Sequence, residues 1–122
     1  MKTTYLRNKL LEHLTGKTTY TKPSATYIGL LQLDPTVDGA QTSELTGGSY
    51  ARQAVTWGTA VDGIISNTAT INFSVPSAKI KYWAIFDASS NGNMLEYFPL
   101  DVPMNVATSL AISAGNLKLR EA

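Results

Sequence analysis

Ala69-Thr70-Ile71-Asn72-Phe73-Ser74-Val75 alternates apolar and polar residues without a break. Successive side chains of a strand point to opposite faces, so this stretch reads as a half-buried strand. Ala69, Ile71, Phe73 and Val75 form its dry face; Thr70, Asn72 and Ser74 form its wet one. The same alternation returns at Val106, Thr108, Leu110 and Ile112. Strands with one face in water belong to antiparallel sheets that cover a core.

Working outward, the texture after Thr26 is that of strands between turns. Tyr27 to Leu33 reads as a strand ended by Asp34-Pro35, and Val37 to Ser49 as a long polar loop. Tyr50 to Trp57 follows as a strand, with Tyr50, Arg52, Ala54 and Thr56 on one side. Ile64 to Val75 is a long strand with an interruption near Ser66-Asn67. Ile80 to Asp87 is apolar on both sides and predicts a central strand. Asn91-Gly92 supplies a hairpin turn into a return strand, Met94 to Pro99. Pro99 and Pro103 bracket a kinked or edge segment, and Ala114-Gly115 predicts a tight turn between two last strands. These residues predict a mainly β protein: an antiparallel β-sandwich, jelly-roll-like, of seven or eight strands. Its core should hold Ile71, Phe73, Trp83, Ile85, Leu110 and Ile112, together with Trp57 and Phe86.

One helix precedes the strands. Between Thr4 and Thr15, Leu6, Leu10 and Leu14 recur every fourth residue with Leu11 beside them, which makes one apolar stripe. Thr3 or Thr4 is placed to cap its start and Gly16 to end it. A helix this short is marginal alone in water and must dock. Two docking modes are open: back onto its own sheet, or onto a neighbouring subunit. Leu6, Leu10, Leu11 and Leu14 are the candidate interface, with Lys2, Arg7 and Lys9 facing an acidic surface.

The chain of 122 residues reads as one domain, with a helix in 1–16 and the sandwich in 26–122. A domain of this length buries roughly two-thirds of the surface its unfolded chain exposes. Cysteine is absent, which excludes disulfides and thiolate metal sites. The net charge is +1, without the basic excess of a nucleic-acid binder, although Lys2, Arg7, Lys9, Lys17 and Lys22 tilt the N-terminal fifth positive. Charged residues make up 16%, against ~25% in ordinary soluble domains. Threonine, serine and asparagine stand in their place, and such surfaces suit protein contacts because burial strips water from fewer full charges. No apolar run approaches the length of a membrane span, and the N-terminus lacks the pattern of a secretory signal.

Residues for chemistry are sparse. His13 is the single histidine, and Glu12 beside it lies about 100° away around the helix, too far to orient it as a base. The acids Asp34, Asp38, Glu44, Asp62, Asp87, Glu96 and Asp101 are scattered singly at turns and strand ends, which predicts no metal site and no cofactor. Arg52 offers a ligand contact or, more commonly for a strand arginine, a pair with a neighbouring acid. No catalytic constellation emerges, and the residues predict a protein that is not an enzyme.

Five segments in order carry a resemblance: TYIGLLQLDP at 26–35, GGSYARQAVTWG at 47–58, GIISNTATINFSVPSA at 63–78, YWAIFDASSNGNML at 82–95 and AISAGNLKL at 111–119. Together with the helix they resemble the small tail-fibre-like and decoration structural proteins of tailed bacteriophages. The resemblance implies a virion protein, made in the host cytoplasm, that contacts other phage structural proteins and forms a homo-oligomer, a trimer before a dimer. Nucleic acid and membrane are not among the implied partners. The chain lacks the long repeated shaft of a true fibre, which favours an adaptor or capsid decoration role. A carbohydrate-binding sandwich for host-surface recognition is the alternative, and it would show as tryptophans facing solvent.

Overall fold

The computed structural model describes residues 1–106 and 109–121, with residues 101–106 as backbone alone. Thr108 therefore lies outside the described residues, as does the Val106 side chain. One helix, α1 (Thr4–Leu14), is followed by eight strands: β1 (Thr26–Leu31), β2 (Gln53–Val55), β3 (Ile64–Ser66), β4 (Ile71–Ser74), β5 (Ala78–Phe86), β6 (Met94–Val106), β7 (Ser109–Ile112) and β8 (Lys118–Arg120). The protein is mainly β, and among the described residues all pairings are antiparallel and no sheet is closed.

Four strands form the larger sheet in the order β2-β1-β5-β6. Strand β5 is central, as its two-sided apolarity requires. Ile80 and Ile85 face one cluster with Ile28, Leu30 and Phe73, while Ala84 and Phe86 face another with Leu31, Met94 and Tyr97. The β5–β6 hairpin turns at Asn91 and Gly92, both with positive φ. Strand β6 runs well past the expected Pro99; its register against β5 jumps from Tyr82↔Pro99 to Ile80↔Met104, which places an irregularity between the two prolines.

The remaining strands form a broken ribbon. β4 pairs with β7 and β3 with β8, so 64–74 runs antiparallel to 109–120. Ile71, Phe73 and Val75 are buried and Asn72 and Ser74 exposed, as the alternation demands, but Ala69 is exposed because the strand begins only at Ile71. Asn67 causes the break. Its side chain is buried, donating to the carbonyls of Ala69 (2.9 Å) and Ser113 (3.1 Å) and accepting from the Leu117 N–H (3.0 Å). It replaces ladder bonds lost on both strands. Ala114-Gly115 forms the expected tight turn, closed by the Asn116 N–H on the Ser113 carbonyl at 3.1 Å, but it joins no hairpin: β7 and β8 do not pair with each other, and the turn sits opposite Asn67, with Gly115 N–H on the Asn67 carbonyl at 2.9 Å.

Two expectations need correction. The strand expected over Tyr50–Trp57 contracts to Gln53–Val55, because Tyr50 and Arg52 turn inward to serve a polar cluster instead of a ladder. Trp83, Leu110 and Ile112, expected in the core, are half-buried. They line an apolar cavity of about 250 Å³ with Leu30, Ile80 and Leu117, and a side chain beside a cavity keeps part of its surface accessible. Trp57 is also half-buried, whereas Phe73 and Phe86 are fully enclosed.

Candidate functional site

The helix begins as its sequence dictates. The Thr3 hydroxyl accepts from the Leu6 N–H at 3.4 Å, the N-cap bond that satisfies an orphan donor. Thr3 is also 1% exposed and donates to the Met94 carbonyl at 2.7 Å, which ties the cap to β6. Gly16, at φ 78°, closes the other end, where an L side chain would be strained.

Residues 1–3 extend the larger sheet. Lys2 bridges Glu96 antiparallel; Thr3 N–H donates to the Leu95 carbonyl and Tyr97 N–H to the Met1 carbonyl, both at 2.9 Å. Thr4 N–H reaches the Val37 carbonyl at 2.8 Å, and Lys2 pairs with Glu121. Glu96 is half-buried here, and burial pushes its carboxyl above the usual carboxylate range.

The six candidate interface residues of the helix separate along it. Leu6 is buried in the core of the protein itself. Leu10, Leu11 and Leu14 are 36%, 60% and 82% exposed, so the apolar stripe emerges into water toward the C-terminal end. Arg7 is exposed, while Lys9 is half-buried with its ammonium over the Tyr5 ring. His13 is exposed and its Nδ1 accepts from the Tyr20 N–H at 3.1 Å.

The densest polar cluster lies elsewhere. Arg52 has a side-chain exposure of 3%. Its Nε and one terminal nitrogen donate to the two oxygens of Glu44, both at 2.8 Å. The remaining N–H groups reach Gln41 Oε1 (2.9 Å) and the carbonyls of Ala88 (3.0 Å) and Asn91 (2.8 Å). The guanidinium also lies 3.5 Å over the Phe86 ring. Tyr50 donates to Glu44 at 2.8 Å and accepts from the Leu30 N–H at 3.0 Å; burial drives its phenol far above the ordinary range, so it stays protonated. Gly29 admits this cluster: a Cβ there would stand 2.7 Å from the Phe86 ring and 2.9 Å from Glu44. A hollow of about 430 Å³ opens beside it, edged by Gln41, Tyr50, Ser89 and Asn91. Of the two readings open for Arg52 in the sequence, the acid pair is the one formed. Its partner Glu44 is eight residues upstream in a loop, a spacing that no strand or helix period announces.

Among the described residues no group of histidine and acidic side chains is arranged to hold a metal ion, and no helix is long and apolar enough to cross a membrane. Both tryptophans are half-buried: the Trp57 indole N–H is held by Thr26 at 2.7 Å, and Trp83 stacks on Phe98 at 4.3 Å.

The described residues form a mainly antiparallel β fold whose buried polar groups are spent on one another, with an apolar helix end left in water. A protein-family model described as podophage GP4 fiber I protein gp80 matches residues 1–120, and the chain belongs to that family of phage fibre proteins. The protein is a structural component of the virion. No curated protein matches the chain.

Proposed function

We propose that the chain acts as a single-domain adaptor or decoration subunit of the phage particle, without chemistry of its own, through protein–protein contacts made by the C-terminal half of α1. The four-stranded sheet and the broken ribbon are read as two layers of a jelly-roll-like sandwich that holds this helix. The observation that carries the proposal is the exposure of Leu10, Leu11 and Leu14 beside a helix start locked into the core. Three leucines on one short helix are left in water at a cost unless something covers them. A homo-oligomer, a trimer before a dimer, is part of this reading, the trimer resting on the family alone.

Leu11→Lys with Leu14→Lys tests it. Neither side chain is buried, so the melting temperature should stay within a few degrees of the parent. Oligomer mass by light scattering should fall, and incorporation into particles during phage complementation should be lost. Normal oligomers and normal incorporation with both lysines in place would refute the assignment.

A further inference from the structure

We infer that the N-terminal arm, Met1–Leu14, is exchanged between copies of this chain, each arm completing the β6 edge of a neighbour. The inference rests on the contact role of α1 proposed above and names the partner as a second copy.

Three observations carry it. First, the arm is held as an added strand followed by one buried core side chain, Leu6. Strand β6 is the last named strand of its sheet, and the outer edge along Leu95 to Tyr97 is paired by residues 1–3. Met1–Thr3 satisfies that edge through the Leu95 and Tyr97 bonds, and Leu6 drops into the core beside it. An edge strand accepts any segment of the right pattern, and every copy carries this one.

Second, the connection is suited to crossing. Residues 15–25 contain no strand or helix. Among the described residues, their backbone N–H bonds go back to the helix alone: Gly16 to His13, Lys17 and Thr18 to Glu12, and Tyr20 to the His13 ring. Tyr20 packs against the core, but among the described residues no backbone bond ties this stretch to the sheets. Extended, it spans roughly 36–40 Å, enough to reach a neighbouring body.

Third, exchange gives the exposed stripe a use. The arm makes the same contacts with β6 whether that strand is its own or a neighbour's, so exchange is neutral for Thr3 and Leu6. Leu10, Leu11 and Leu14 lie at the end of α1 next to the connection. When two connections cross, those leucines meet the crossing helix of the other copy and leave water.

The chain has no cysteine, so an introduced pair is unambiguous. Lys2 and Glu96 face each other between the flanking hydrogen bonds, a non-hydrogen-bonded antiparallel pair whose Cα separation of about 4.5 Å suits a disulfide. Lys2→Cys with Glu96→Cys is oxidised as the native protein and run on a non-reducing denaturing gel. Exchange predicts covalent dimers or closed multimers as the main product. A second pair, Thr4→Cys with Val37→Cys, gives the same reading should the first disturb folding. Links formed inside single chains overturn exchange while leaving the helix contact standing when the oligomer persists. Free thiols in both folded variants overturn the arm's pairing with β6, and exchange with it. A parent chain that stays monomeric at high micromolar concentration overturns exchange as well.

Discussion

Arg52 stands where the sequence places a strand residue, and its five N–H donors all end on protein acceptors. The group ties together three stretches that have no ladder in common: the loop carrying Gln41 and Glu44, the entry to β2, and the hairpin tip at Ala88 to Asn91. A buried pair of this kind is costly to break, because the partner left behind keeps its charge without its ligand. Arg52→Met alone should therefore destabilise by about 3–5 kcal/mol in denaturant unfolding. Adding Glu44→Leu to Arg52→Met removes the stranded carboxylate, and the double variant should recover much of that loss. A double variant no better than the single one would show that the carbonyl bonds to the hairpin tip matter more than the ion pair. Alternation could place Arg52 on a strand face, but it could not reveal this, since the cluster forms from side chains brought together by loops.

The ribbon shows where periodicity succeeds and where it stops. Ile71, Phe73 and Val75 are buried in the order their spacing predicts, and α1 starts at Thr3 and closes at Gly16 as its end signals require. Both features are set by neighbours within a few residues. The pairing of β4 with β7 and β3 with β8 is not, because it joins residues 35 to 56 positions apart. The sequence marks an interruption at Ser66-Asn67 and a turn at Ala114-Gly115 but does not say that they sit opposite each other. The same limit applies to the stripe of α1: its leucines are legible, whereas the division between buried Leu6 and exposed Leu14 depends on how far β6 extends beneath the helix. Asn67 is the residue that makes the two interruptions one feature. Asn67→Ala removes three buried side-chain hydrogen bonds and should cost about 2–4 kcal/mol at ~1 kcal/mol each. Asn67→Asp keeps the shape but turns a donor toward the Ala69 and Ser113 carbonyls into an acceptor. Its melting temperature at neutral pH should fall below that of the alanine variant. The reverse order would mean that the side chain fills space there without bridging the strands.

Chain start, middle and end meet at one place in the molecule, where Lys2 lies between Glu96 of β6 and Glu121 beyond β8. Glu96 is the half-buried member. Burial raises its pKa, Lys2 and the terminal ammonium pull it down with less effect than burial, and Glu121 adds the smallest contribution, a rise. A carboxyl whose pKa is raised by folding stabilises the fold most when it is protonated. Its contribution is full below the ordinary carboxylate pKa and is lost as pH rises through the raised value. At neutral pH the protein therefore carries a partly buried charge that costs more in hydration than Lys2 returns. Glu96→Gln removes that charge and retains the shape. Thermal unfolding followed from pH 4 to pH 8 should give nearly equal melting temperatures at the acid end and a variant more stable than the parent at the neutral end. The effect belongs to the junction of arm, sheet and ribbon: Lys2→Met in both proteins removes the nearest cation that offsets the buried charge, so the advantage of Glu96→Gln at neutral pH should grow. A parent more stable than Glu96→Gln at pH 8 would reverse the balance and make the Lys2 attraction the dominant force holding the arm to β6.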